Sequence, residues 1–311
     1  MEKGRKYILS IILLFSFCLI GIGLFLSFND KLIDPVSGII STADKSELVN
    51  ITSNGKEKKP SSGGSTNSTA SGQDPSSTSG LTIDEVNNKL RLSLQKKYGV
   101  TIKYGNETNG YSVGGMSTSI ISDPSKVNKA LSDLSANLAN YPKGFFKEFN
   151  SVGLQLAIYL IDTYSDHEVT GVTDPSSNNN IIISIAIYYP FSDSFNHETY
   201  HYMERYIKIK GGLFTSWYQY NPIDFRYGTL NSNLSFDRTD DANSYFVNNY
   251  AQTNEYEDRA STFEYMMADT KQSCMNYNLP IWNKANYMSK VIDVYFNTVN
   301  SSTVEYWERF L

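Results

Sequence analysis

The chain has 311 residues, 40% apolar and 19% charged, which is enough for one sizeable core and too apolar for a wholly disordered chain. A net charge of −5 excludes a strongly basic nucleic-acid surface, so no nucleic-acid partner is expected. Two cysteines exclude a disulfide scaffold and a cysteine zinc ribbon, and histidine occurs only three times.

Composition divides the chain into four stretches. Residues 1–6 carry Lys3, Arg5 and Lys6 against Glu2. Residues 7–28 hold no charge, and a helix of that length covers about 33 Å, enough for the ~30 Å hydrocarbon core of a bilayer. The basic flank predicts a cytoplasmic N-terminus, a single-pass anchor in the cell membrane and an extracellular C-terminal bulk. A cleaved signal peptide competes with that reading. The run ends Leu24-Phe25-Leu26-Ser27-Phe28, however, which is bulky where a cleavage site needs small residues. Phe17 likewise occupies the place of the small residue that would precede a lipidated Cys18. Residues 29–80 form a low-complexity linker; about two-thirds of residues 51–80 are Ser, Thr, Gly or Pro. Some 50 flexible residues reach roughly 40 Å, which holds a domain clear of the surface. The folding domain is expected at 81–311, with Cys274 its single cysteine and no internal disulfide.

Thr82-Ile83-Asp84-Glu85 reads as a capping box. Ile83, Val86, Leu90 and Leu94 then recur at helical spacing to about Tyr98, where Gly99 is a natural stop. Val100 to Tyr104 reads as a short strand. Asp123-Pro124 opens a second helix, with Val127, Ala130, Leu131, Leu134 and Leu138 as its apolar stripe and Pro142 as its limit. Val152 to Tyr164 is strand-like, Asp174 to Asn180 is a turn, and Ile181 to Tyr189 is the most apolar strand, ended by Pro190. The rest is mostly helical, apart from an irregular Tyr-rich stretch from Gly211 to Asn243. This order of mixed helices and strands predicts an α+β domain. The 23 tyrosines, many beside Asn, suggest a polar extracellular surface.

The chemistry follows the last strand. His197-Glu198-Thr199-Tyr200-His201 is an H-E-x-x-H sequence. Residues four apart share one face of a helix, so His197 and His201 can offer two imidazole nitrogens to one metal ion. Glu198 suits a general base that takes a proton from a metal-activated water. Ser192, Asp193 and Ser194 are N-cap candidates, and no Gly or Pro interrupts the segment through Ile209. His167, in Asp166-His167-Glu168, reads as solvated loop.

A catalytic zinc takes three protein ligands and leaves one position open. No histidine lies downstream and Cys274 stands alone, so a carboxylate remains; Glu255, Glu257, Asp258 and Glu264 are the acidic residues of the segment following Tyr250. His197-Glu198-x-x-His201 together with Tyr250 and Glu257-x-x-Ala260-x-x-Phe263 resembles the gluzincin peptidases related to the anthrax lethal factor catalytic domain and the clostridial Pro-Pro endopeptidases. The resemblance covers roughly residues 180–269. It implies a zincin-like metallopeptidase domain with one Zn²⁺ per chain, held by His197, His201 and Glu257. It further implies that Tyr250 donates a hydrogen bond to the oxyanion of the tetrahedral intermediate. Two positions depart from that group. Ser261 stands where a second glutamate usually orients a histidine, and Tyr200 replaces a small residue. Asp258 or Glu204 could supply the orienting carboxylate. The resemblance also suggests that the strand Ile181 to Tyr189 offers its edge to an extended substrate. Tyr188, Tyr189, Trp217, Tyr218 and Tyr220 could line subsites or belong to the core or the ordinary surface.

The expected function is therefore a membrane-anchored extracellular zinc metalloendopeptidase of gluzincin type acting on a peptide or protein. The alternative, motivated by Ser261 and Tyr200, is a catalytically degenerate zincin-fold module for surface binding or adhesion.

Overall fold

The computed structural model describes residues 80–174, 179–188, 191–228, 239, 241–270, 272–299 and 302–311. The expected anchor at 7–28 and the linker up to residue 79 lie outside these. Among the described residues no helix is long and apolar enough to cross a membrane.

Helix α1 (Ile83–Tyr98) starts on the capping box: the Glu85 N–H donates to Thr82 Oγ1, and the Thr82 N–H donates to the Glu85 carboxylate at 2.7 Å. It stops at Gly99, whose φ of 74° lies in the left-handed region. Of its expected stripe, Leu94 and Tyr98 are buried, Leu90 packs against the core and Val86 is half-buried, while Ile83 is exposed; Asn87 joins the buried face, donating to the Pro124 carbonyl at 2.8 Å. After β1 (Thr101–Tyr104) come the short strands β2 (Ser112–Val113) and β3 (Met116–Ser119). Helix α2 (Pro124–Ala139) is capped by Asp123, and its five expected apolar residues are all buried. A short helix α3 (Phe145–Glu148) leads into a 3₁₀ turn at Phe149–Val152. The strand expected from Val152 therefore begins later, as β4 (Gln155–Ile161), followed by β5 (Thr163–Tyr164).

The main sheet has the order β1-β4-β7-β6, where β6 is Gly171–Asp174 and β7 is Asn180–Ala186. β1, β4 and β7 run parallel, and β6 lies antiparallel on β7. This corrects the expected edge: β7 is flanked on both sides, and β6 is the outer strand of the sheet. β2, β3 and β5 form a second, small antiparallel sheet.

Helix α4 (Phe191–Ile209) packs across β6 and β7 and against α2 and α5 (Glu255–Met266); α6 (Pro280–Tyr295) backs α5. Because α4 begins at Phe191, Ser192, Asp193 and Ser194 fall within its first turn and not at the cap. Many of the tyrosines are core residues and not surface. Tyr164, Tyr200, Tyr202, Tyr206, Tyr265 and Tyr287 are fully buried, and Tyr202 stacks on Phe149 with ring centroids 4.1 Å apart.

Two buried ion pairs fix α5 to its neighbours. Arg259 grips Glu204 of α4 through Nε (3.1 Å) and Nη2 (2.8 Å), and Lys284 of α6 reaches Asp258 at 2.7 Å. Removing one partner strands the other charge away from water. Arg259→Ala is therefore expected to destabilise the domain by about 3–5 kcal/mol. Urea denaturation measures this, and a loss under ~1 kcal/mol would show that the clamp contributes little.

Candidate metal centre

The uninterrupted run from Phe191 to Ile209 gives α4 its full length, and the four-residue spacing brings the His197 and His201 rings to 5.0 Å centroid separation. Both face α5. There Asn254 caps the helix, its side chain accepting from the N–H groups of Tyr256 and Glu257, which sets Glu257 in the first turn. Glu257 Oε2 lies 3.0 Å from His197 Nε2 and 3.4 Å from His201 Nε2. One donor atom from each of the three residues falls within 4.8 Å of the others. Tetrahedral ligands about 2.1 Å from one ion sit ~3.4 Å apart, so this donor set of two imidazoles and one carboxylate fits zinc. Tyr250, on a 3₁₀ turn at Tyr250–Gln252, stands beside them with its ring 6.0 Å from that of His197.

The carboxylate that orients His197 is Glu264, which accepts from Nδ1 at 3.2 Å. Sequence reading assigned that role to Asp258 or Glu204. Both are engaged elsewhere: Asp258 takes hydrogen bonds from Lys284, Trp217 and Tyr227, and Glu204 is held by Arg259 and Lys208. Ser261, one turn after Glu257, is buried and its hydroxyl makes no hydrogen bond. Glu264 lies two turns along the same face and supplies what Ser261 lacks. A carboxylate on Nδ1 fixes the tautomer that leaves Nε2 free for metal.

Burial alone would push the His197 imidazolium down, but hydrogen bonds to Glu257 and Glu264 outweigh it and raise its pKa well above the usual value. Burial would raise the Glu257 carboxyl, but His201 and His197 beside it hold it well below the carboxylate range. In the zinc-free protein the His197 contribution to stability is complete below pH 6.5 and fades as pH rises through the raised pKa. The Glu257 contribution is complete above pH 4.5 and fades as pH falls through the lowered one. Zinc requires neutral imidazole and must displace the His197 proton. Affinity is thus expected to rise about tenfold per pH unit up to that pKa. Calorimetry in buffers of different ionisation enthalpy should show net proton release on zinc binding near pH 7; no release at any pH below that pKa would refute the assignment.

Glu198 is buried, and its side chain points to β6, where Thr173 Oγ1 lies 2.6 Å from Oε2. Tyr200 is fully buried beneath the site against Phe263, with centroids 5.3 Å apart. Trp217 is core, its Nε1 donating to Asp258; Tyr188 and Tyr218 are exposed, and Tyr189 lies outside the described residues. His167 is an exposed loop residue, and Cys274 is buried with its Sγ 3.1 Å from the Tyr265 hydroxyl. Sequence reading missed Thr173, and it counted Glu264 among the acidic candidates for the metal without giving it the orienting role. Only the seven-residue spacing from Glu257 could have pointed to Glu264.

No protein-family model matches the chain, and no curated protein does. Among solved structures it is similar to one described as a "putative zinc-binding metallo-peptidase" from Bacteroides caccae. That similarity has 14% identity and a TM-score of 0.46, and it covers 68% of this chain and 85% of that one.

Proposed function

We propose that the protein is a zinc-dependent endopeptidase of gluzincin type, tethered to the cell membrane by residues 7–28 with its C-terminal domain outside. The observation that carries the reading is the convergence of His197 and His201 with Glu257, 60 positions after His197 in the chain, with Glu198 next in sequence to His197. Zinc, when held there, activates water and polarises a carbonyl. Glu198 accepts the proton of the attacking water and passes it to the leaving amine. Tyr250 donates to the oxygen on which charge develops. The outer strand β6 lies next to α4, and an extended substrate adding to its outer side would run past Glu198. The departures that favoured a binding module lose their force: Glu264 orients His197 in place of the residue at 261, and Tyr200 packs below the site without occupying it.

Metal analysis of protein purified from Leu81 onward should find close to one zinc per chain, and that protein should cleave members of a peptide library. A zinc-loaded protein that cleaves none would favour the binding module. Tyr250→Phe should keep its zinc and lose on the order of 10²–10³ in kcat. Protease shaving of intact cells should remove the domain; its protection would reverse the topology.

A further inference from the structure

The geometry points to Gly171 and Thr173 as a seat on β6 that fixes the carboxylate of Glu198. The two residues alternate along the strand and so present the same face to α4. Thr173 Oγ1 lies 2.6 Å from Glu198 Oε2 and 3.0 Å from the Glu198 carbonyl oxygen, so its one proton is directed chiefly at the carboxylate. Gly171 provides the space. A Cβ there would stand 2.9 Å from Glu198 Cγ, 3.2 Å from Ile185 Cδ1 and 3.3 Å from Glu198 Oε1. Any larger residue would therefore force Glu198, Ile185 or the strand to shift. One turn earlier on α4, Ser194 Oγ and Thr170 Oγ1 are 2.7 Å apart, which ties the start of the same strand to the same helix face.

A glutamate side chain has three torsions to order, and a general base works only within hydrogen-bond reach of its proton. The hydroxyl on one side and the bare backbone on the other hold the side chain against β6. Thr173 and Gly171 are thus positioning residues. Their effect on turnover rests on the peptidase reading, whereas the contact itself is testable without it.

Full-length protein carrying Thr173→Val should keep wild-type zinc content and a KM within about twofold, while kcat falls on the order of 10–100-fold. Thr173→Ser, which retains the hydroxyl, should recover most of that loss. Gly171→Ala should likewise lower kcat with zinc retained. The measurement independent of catalysis is a double-mutant cycle on the zinc-free chain. Thr173→Val should lower Tm by a few degrees in the wild-type background and by clearly less in Glu198→Ala. Equal Tm shifts in both backgrounds, loss of zinc, or a kcat at or above wild type for Thr173→Val would overturn the proposal. A coupled cycle in a protein that cleaves no peptide would uphold the seat and refute the peptidase reading instead.

Discussion

Glu198→Gln is expected to leave zinc content near the wild-type level while peptide hydrolysis falls by two to four orders of magnitude. Glu198 is not among the three residues whose donor atoms converge, so the substitution removes no ligand from the metal. Glutamine matches it in length and keeps an oxygen that can accept from Thr173, so the buried packing against β6 persists. What disappears is the capacity to take up a proton at the reacting water. Parallel zinc analysis and kcat/KM measurements separate the two effects. Cleavage at the wild-type rate would remove Glu198 from the mechanism, and loss of zinc would make it part of the metal site.

Glu257→Ala is expected to reduce zinc affinity by several orders of magnitude, as are His197→Ala and His201→Ala. Glu257 Oε2 is the carboxylate atom between the two Nε2 atoms, at 3.0 and 3.4 Å, and no other carboxylate completes the donor set among the described residues. Glu264 meets the opposite nitrogen of His197, so Glu264→Ala should bind zinc about 10–100-fold more weakly without abolishing it. Glu255 pairs with Arg259 at 3.3 Å and Glu255→Ala should leave the metal in place. Competition titration against a chelator gives the ranking. Wild-type affinity in Glu257→Ala with zinc lost from Glu264→Ala would exchange their roles, and the Tyr250 assignment would fall with it.

What the sequence discloses here depends on how local the determining physics is. Helices α1 and α2 announce their ends because a capping box, a Pro at the first turn and a left-handed Gly act within four residues. The histidine pair is legible because helical spacing alone brings the rings together. Glu257 was picked out by its distance from Tyr250, a resemblance and not a derivation. Strand β6 escaped because four residues are too short for alternation to register, and its place at the sheet edge is decided by pairing with β7. Glu264 and Thr173 escaped for a similar reason. Each meets its partner only when two elements pack.

The three residues that converge belong to two helices whose intervening chain runs from Lys210 to Asn254. An ion held by them would act as a removable cross-link closing a loop of that length, where the entropy saved in the unfolded chain is large. Stability would then become a function of zinc supply, growing by about 1.4 kcal/mol for each tenfold rise in free zinc above the dissociation constant. If the domain stands outside the cell as proposed, where zinc is set by the surroundings, the protein's own lifetime would report external metal.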